Sequence, residues 1–162
     1  MRDAAALHEK RVTLGCFRVG SAHYALDVEG LREVVRWQPP TPLPQAPRLI
    51  DGVIDLRGAV VPVVDLGRAL GAPPVQGGAS ARIAIVEVDG LVMGLAVDGA
   101  EGVLSVETGA LEDPPALTTH VGYEVVRAVV RRPEAPPVLL LSLETVLASI
   151  HRSARGPGEE AA

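Results

Sequence analysis

The sequence predicts an all-β fold of two small barrels packed side by side, and three observations carry that expectation. Hydrophobic residues make up 48% of the 162, yet only 2% are aromatic, so the core is built from Val, Leu, Ile and Ala. Val dominates, and β-branched side chains favour pleated surfaces over helices. The 17 glycines and 14 prolines cut the chain into short apolar runs, which is the pattern of a barrel or sandwich. Finally, the chain repeats itself. Residues 18–35 fall on 87–104, with Val19 on Val88, Leu26 on Leu95, Val28 on Val97, Gly30 on Gly99 and Val34 on Val103. Further on, Val63-Val64-Asp65-Leu66 falls on Leu140-Leu141-Ser142-Leu143, and Leu70 on Leu147. Each half reads strand, strand, hairpin, short helix. Closure into barrels removes the exposed edges that so many strands would otherwise present.

In chain order, residues 1–11 read as a tail and residues 12–151 as the folded domain. Strands are expected over 11–19 and 23–28, with 29–35 extending the second strand or forming a bulge. Residues 37–47 carry Pro39, Pro40, Pro42, Pro44 and Pro47, which excludes a central strand and leaves an extended connector. Two runs, 49–56 and 59–64, meet at Arg57-Gly58 as a hairpin. Asp65 is placed to cap a short helix over 65–70, with Gly71 as its stop. Residues 72–79 form a loop. Asp89-Gly90 is a two-residue turn signal between strands 82–88 and 91–97. Another strand covers 102–106, and a proline-containing loop 107–119. Strands at 123–131 and 138–142 precede a closing helix over 143–150. Residues 152–162 are expected to be a disordered tail.

The net charge of -5 argues against a broad nucleic-acid footprint, which needs a concentrated basic surface. The lone Cys16 lies in an apolar run and reads as a buried, inert thiol. No stretch reaches the ~18 apolar residues of a membrane span. The charged first residues lack an apolar signal-peptide core, so a cytoplasmic location is expected. His8, His23, His120 and His151 are scattered, none at helical spacing from a second ligand, and each reads as solvated. There is no nucleophile elbow and no phosphate-binding loop motif. Asp65, Asp98 and Glu101 follow strands and most simply cap or solvate turns. The chain is therefore expected to work without cofactor, metal or catalytic residues, by binding.

Two residues stand out. Arg57 is at a hairpin apex, where its guanidinium suits a partner's carboxylate or backbone carbonyls, or else a local salt bridge to Asp55 or Asp65. Glu33 is charged among apolar neighbours in Leu31-Arg32-Glu33-Val34-Val35. It is either an ordinary outward position on an alternating strand or the polar rim of an apolar contact patch.

The run Leu43-Pro44-Gln45-Ala46-Pro47-Arg48-Leu49-Ile50-Asp51-Gly52-Val53-Ile54-Asp55-Leu56-Arg57-Gly58-Ala59-Val60-Val61-Pro62-Val63-Val64-Asp65-Leu66 resembles the central signature of CheW-like domains. In that family a proline-flanked Asn-Ala-Pro precedes Gly-Val-Ile-Asn-Leu-Arg-Gly, an apolar strand and a closing Asp-Leu. Residues 17–35, the Gly94-Leu95-Ala96-Val97-Asp98 stretch and residues 138–147 are similar to its other segments, so the likeness spans about residues 12–150. The resemblance implies two five-stranded SH3-like barrels around a shared apolar core, with no enzymatic activity. It implies an adaptor between the helical tip of chemoreceptors and the regulatory domain of a CheA-type histidine kinase, recruited to membrane-associated receptor arrays without inserting in the membrane. Carried over by position, Glu33 and Arg57, with their neighbours Val35 and Gly58, fall in partner-contact positions. The chain departs from the pattern at Gln45 and Asp55, where Asn is usual, and at Asp51, where a basic residue is common. The more acidic hairpin implies a more basic partner. It leaves open a CheW-like scaffold of a non-flagellar chemosensory pathway, such as surface motility, that has kept one of its two interfaces.

Overall fold

The computed structural model describes residues 10–115 and 123–154. The expected tail over residues 1–9, His8, His120 and residues 155–162 lie outside the described residues. The elements run β1 (Arg11–Val19), β2 (Ala22–Asp27), β3 (Leu31–Arg36), β4 (Ile50–Leu56), β5 (Ala59–Asp65), α1 (Leu66–Ala69), β6 (Arg82–Val88), β7 (Leu91–Val97), β8 (Gly99–Glu107), β9 (Leu111–Glu112), β10 (Val126–Arg132), β11 (Ala135–Leu141) and α2 (Leu143–Ala154).

Two sheets result. The first has the order β8-β1-β2-β11-β10-β9 and the second β3-β6-β7-β5-β4. Neither barrel is a contiguous half of the chain. A 3-10 turn at Val28–Gly30, capped by the Asp27 carboxylate on the Glu29 N–H (2.9 Å), sends β3 away from β2 into the second sheet. β8 makes the reverse crossing after β7. Each barrel thus combines the first hairpin of one repeat with the later strands of the other. The register preserves the duplication pair for pair. Glu33↔Ile85, Val34↔Ala84 and Val35↔Ile83 in one barrel correspond to Gly102↔Cys16, Val103↔Gly15 and Leu104↔Leu14 in its twin. The parallel pairing repeats as well, Val63↔Gly94 against Leu140↔Ala25.

Each barrel closes by the same device. Beyond β3 the proline-rich connector bridges the opposite edge at Thr41↔Val53, and beyond β8 the chain bridges β10 through β9. The two-residue β9 and the 3-10 turn Thr108–Ala110 lie where a loop was expected over 107–119. Gly52 makes one of these closures possible. Its φ is 154°, and a Cβ there would overlap the Thr41 carbonyl oxygen.

Strands alternate between two kinds of core. Ile54, Val61, Val63, Ile83, Ile85 and Ala96 fill the second barrel, and Leu14, Cys16, Ala25, Ala128, Val130, Val138 and Leu140 the first. The opposite faces of β1, β6 and β7 supply Phe17, Val19, Ala84, Val86, Met93, Leu95 and Val97 to a third cluster between the barrels, sealed by Leu66 of α1, Leu70 just after it, and Val146 and Ile150 of α2. Strands buried on both faces read as continuous apolar runs, as these do. Asp65 caps α1 as expected, accepting from the Arg68 N–H (3.0 Å), and also accepts from the Val75 N–H (3.1 Å), which explains a carboxylate only 1% exposed. Gly71 ends α1 with φ 73°. The closing helix runs past residue 150 to Ala154.

Candidate partner-binding site

Arg57 and Gly58 form the two-residue turn between β4 and β5 with φ of 51° and 90°, the geometry of a hairpin turn that matches strand twist. Asn or Gly would suit the first position better, since a positive φ costs an L-residue that carries a Cβ. The arginine is there for its side chain. The turn is fastened by the Gly58 N–H, which donates to Asp55 Oδ1 (2.8 Å).

The Arg57 guanidinium donates to the carboxylate of Glu33, 24 residues earlier, on β3. The pair spans the two edge strands of the second barrel, β3 on one side and the β4–β5 hairpin on the other. The hydrogen bond from Arg57 holds the Glu33 carboxyl below the usual carboxylate range. The ion pair is therefore intact at neutral pH and is lost as pH falls through that lowered value. Both side chains remain solvated: Arg57 is 68% exposed and Glu33 35%. Val34, beside Glu33, is 39% exposed, and Val60, on the hairpin of Arg57, is 71% exposed. Val35 is half-buried and packs with Trp37 and Leu56 against the second barrel's interior cluster.

Three sequence expectations change here. The local partner of Arg57 is neither Asp55, which holds the turn, nor Asp65, which caps α1. Asp51 is half-buried and pairs with Arg68 (3.2 Å), and its carboxyl is pushed up by burial against the opposing pull of Arg68. The acidic positions of the hairpin are thus engaged within the chain. His23 is not simply solvated: its Nδ1 meets Glu101 Oε1 at 2.7 Å, joining β2 to β8. Asp98 Oδ2 accepts from the Gly20 N–H (2.7 Å). Cys16 is buried, and burial pushes its thiol pKa up, which disfavours the reactive thiolate. Among the described residues no group of three or more His, Cys, Asp and Glu is placed to hold a metal, and no helix is long and apolar enough to cross a membrane. The Glu33–Arg57 contact was not visible in the sequence. The shared isolation of two charges in apolar strands was the only signal.

Residues 13–151 match the CheW-like domain family. The chain is 33% identical over 138 residues to "Chemotaxis protein CheW" of Rhizobium meliloti, covering 85% of this chain and 88% of that protein. It is 35% identical over 99 residues to "Chemotaxis protein CheW" of Bacillus subtilis (61% and 64% covered) and 34% over 100 residues to "Protein FrzA" of Myxococcus xanthus (62% of each). Among solved structures, the scaffolding protein TtCheW from Thermoanaerobacter tengcongensis superposes with a TM-score of 0.75 at 28% identity, over 85% of this chain and 92% of that one. By sequence and by fold, the chain belongs to the CheW-like domain family.

Proposed function

We propose that this protein is a non-enzymatic adaptor that couples chemoreceptors to a CheA-type histidine kinase. It works in the cytoplasm and is held at membrane-associated arrays through its partners. The observation that carries the reading is the solvated Glu33–Arg57 pair, set across the barrel edges with the exposed apolar residues Val34 and Val60 on the same strands. Exposed charged and apolar side chains on the edge strands of one barrel suit an amphipathic helix, the form of a receptor tip. Arg57 adopts a disfavoured backbone conformation to present a guanidinium, which fits a recognition role better than a fastening one. Val35 and Gly58 support the site from behind, one as packing and one as turn.

The test is calorimetric titration of the wild type, Arg57→Ala and Glu33→Gln with a receptor-tip fragment and with the kinase regulatory domain, beside denaturation curves. The expected outcome is an affinity loss of roughly thirtyfold for Arg57→Ala toward at least one partner, with the fold intact. A variant that loses thermal stability yet binds both partners as the wild type does would make the pair a structural clasp.

A further inference from the structure

We infer that the second barrel carries an anion site for a phosphate group, formed by Arg36, Arg82 and Trp37. Arg36 on β3 and Arg82 on β6 are direct register partners. In an antiparallel pair such side chains project from the same face, roughly 5 Å apart at Cβ, and like charges so placed repel. The surroundings do not answer that repulsion. Arg36 is exposed and makes no ion pair or side-chain hydrogen bond with any described residue. Arg82 donates through Nη1 to the Ala79 carbonyl (2.9 Å) and the Ala81 carbonyl (2.8 Å). Those bonds hold the guanidinium in place and leave Nε and Nη2 without a described acceptor.

The duplication supplies an internal control. The same two positions in the first barrel are Ser105 and Thr13, which are also direct partners. The fold therefore does not require cations there. One barrel places two hydroxyl residues where the other places two guanidiniums, in a protein of net charge -5.

The two arginines share a cavity of about 350 Å³ with Trp37, Gly78, Ala79 and Ala81. Gly77 lies against the indole so closely that a Cβ would overlap the ring, which fixes Trp37 as one wall. The indole N–H has no acceptor among the described residues. Paired guanidinium forks favour phosphate oxygens, and an entering dianion would convert the Arg36–Arg82 repulsion into two attractions. The proposal is independent of the Glu33–Arg57 contact.

Trp37 is the only tryptophan of the chain, so its emission reports on this cavity alone. The full-length protein is titrated with sodium pyrophosphate, and by calorimetry with ADP, against sodium chloride at matched ionic strength. A saturable response is expected below roughly 10 mM, where even millimolar affinity would be seen. Arg36→Ser and Arg82→Thr, which copy the other barrel, should each weaken it roughly tenfold or more. Arg36→Ser touches no described partner, so it decides the matter if Arg82→Thr disturbs the adjoining loop. Tighter binding of ADP than of pyrophosphate would identify a nucleotide as the source of the phosphate, and equal binding would identify the inorganic anion. No saturable response to either, a response reproduced by chloride, or unchanged affinity in Arg36→Ser would overturn the proposal.

Discussion

Val63 belongs to the interior of the second barrel. It is fully buried within the second barrel among Ile54, Ile83 and Ile85, and its register partner is Gly94. Its counterpart Leu140 is equally buried in the first barrel. The Val63→Asp variant places an unpaired carboxylate where no donor reaches it, at a cost of several kcal/mol against a total stability of about 5–15. It is expected to lose cooperative unfolding or to be insoluble. Val60→Asp, three positions earlier and facing solvent, is expected to melt within about 0.5 kcal/mol of the wild type. Thermal melts of the two variants compare them directly, and equal melting would place Val63 on the surface. The same scale explains Cys16, a small apolar filler of the first barrel whose chemistry is suppressed by its burial.

The hairpins and the connectors between them obey different rules. A hairpin is local, so Arg57-Gly58 and Asp89-Gly90 announced theirs in two residues, and both pairs adopt positive φ. Barrel closure is not local. The Thr41↔Val53 bridge joins a proline-rich connector to β4, and its sequence trace is only the glycine that gives it room. Gly52→Ala is expected to destabilise the protein by at least about 2 kcal/mol, because the methyl group must displace backbone at a φ that side chains rarely adopt. Chemical denaturation would measure this. A midpoint equal to the wild type would mean that the connector can lift away without cost. The same distinction explains what the sequence showed of the site. Glu33 and Arg57 were each visible as charges out of pattern, while their pairing depends on two edges meeting around a barrel. Arg36 and Arg82 attracted no notice, since an exposed arginine at a strand end is ordinary until register sets a second one opposite. The crossing of β3 into the other sheet was hidden too, because the 3-10 turn at Val28–Gly30 differs little from a bulge in composition.

The whole molecule is an exchange between two repeats, and that exchange governs how it can be divided. Residues before the 72–80 loop contain β1 to β5 and α1, and those after it contain β6 to β11 and α2. In the first part, β3 is separated from β4 and β5 by the absent β6 and β7, and the β1–β2 hairpin lacks both flanking strands, β8 and β11. The second part is deprived in the mirror-image way. Most of the interfacial cluster is likewise divided, with Leu66 and Leu70 on one side and Leu143, Val146 and Ile150 on the other. A lone hairpin without a partner sheet is marginal in water. Fragments 1–76 and 77–162 are therefore each expected to be unfolded alone and to recover the native circular dichroism when mixed one to one. The recovered complex should melt at a temperature that rises with concentration, as any association-coupled fold does. Analytical ultracentrifugation beside the spectra provides the check. A fragment that folds by itself as a monomer would show that one barrel does not need the hairpin of the other repeat. A mixture that stays unfolded would show that the two repeats must be covalently joined for the exchange to form.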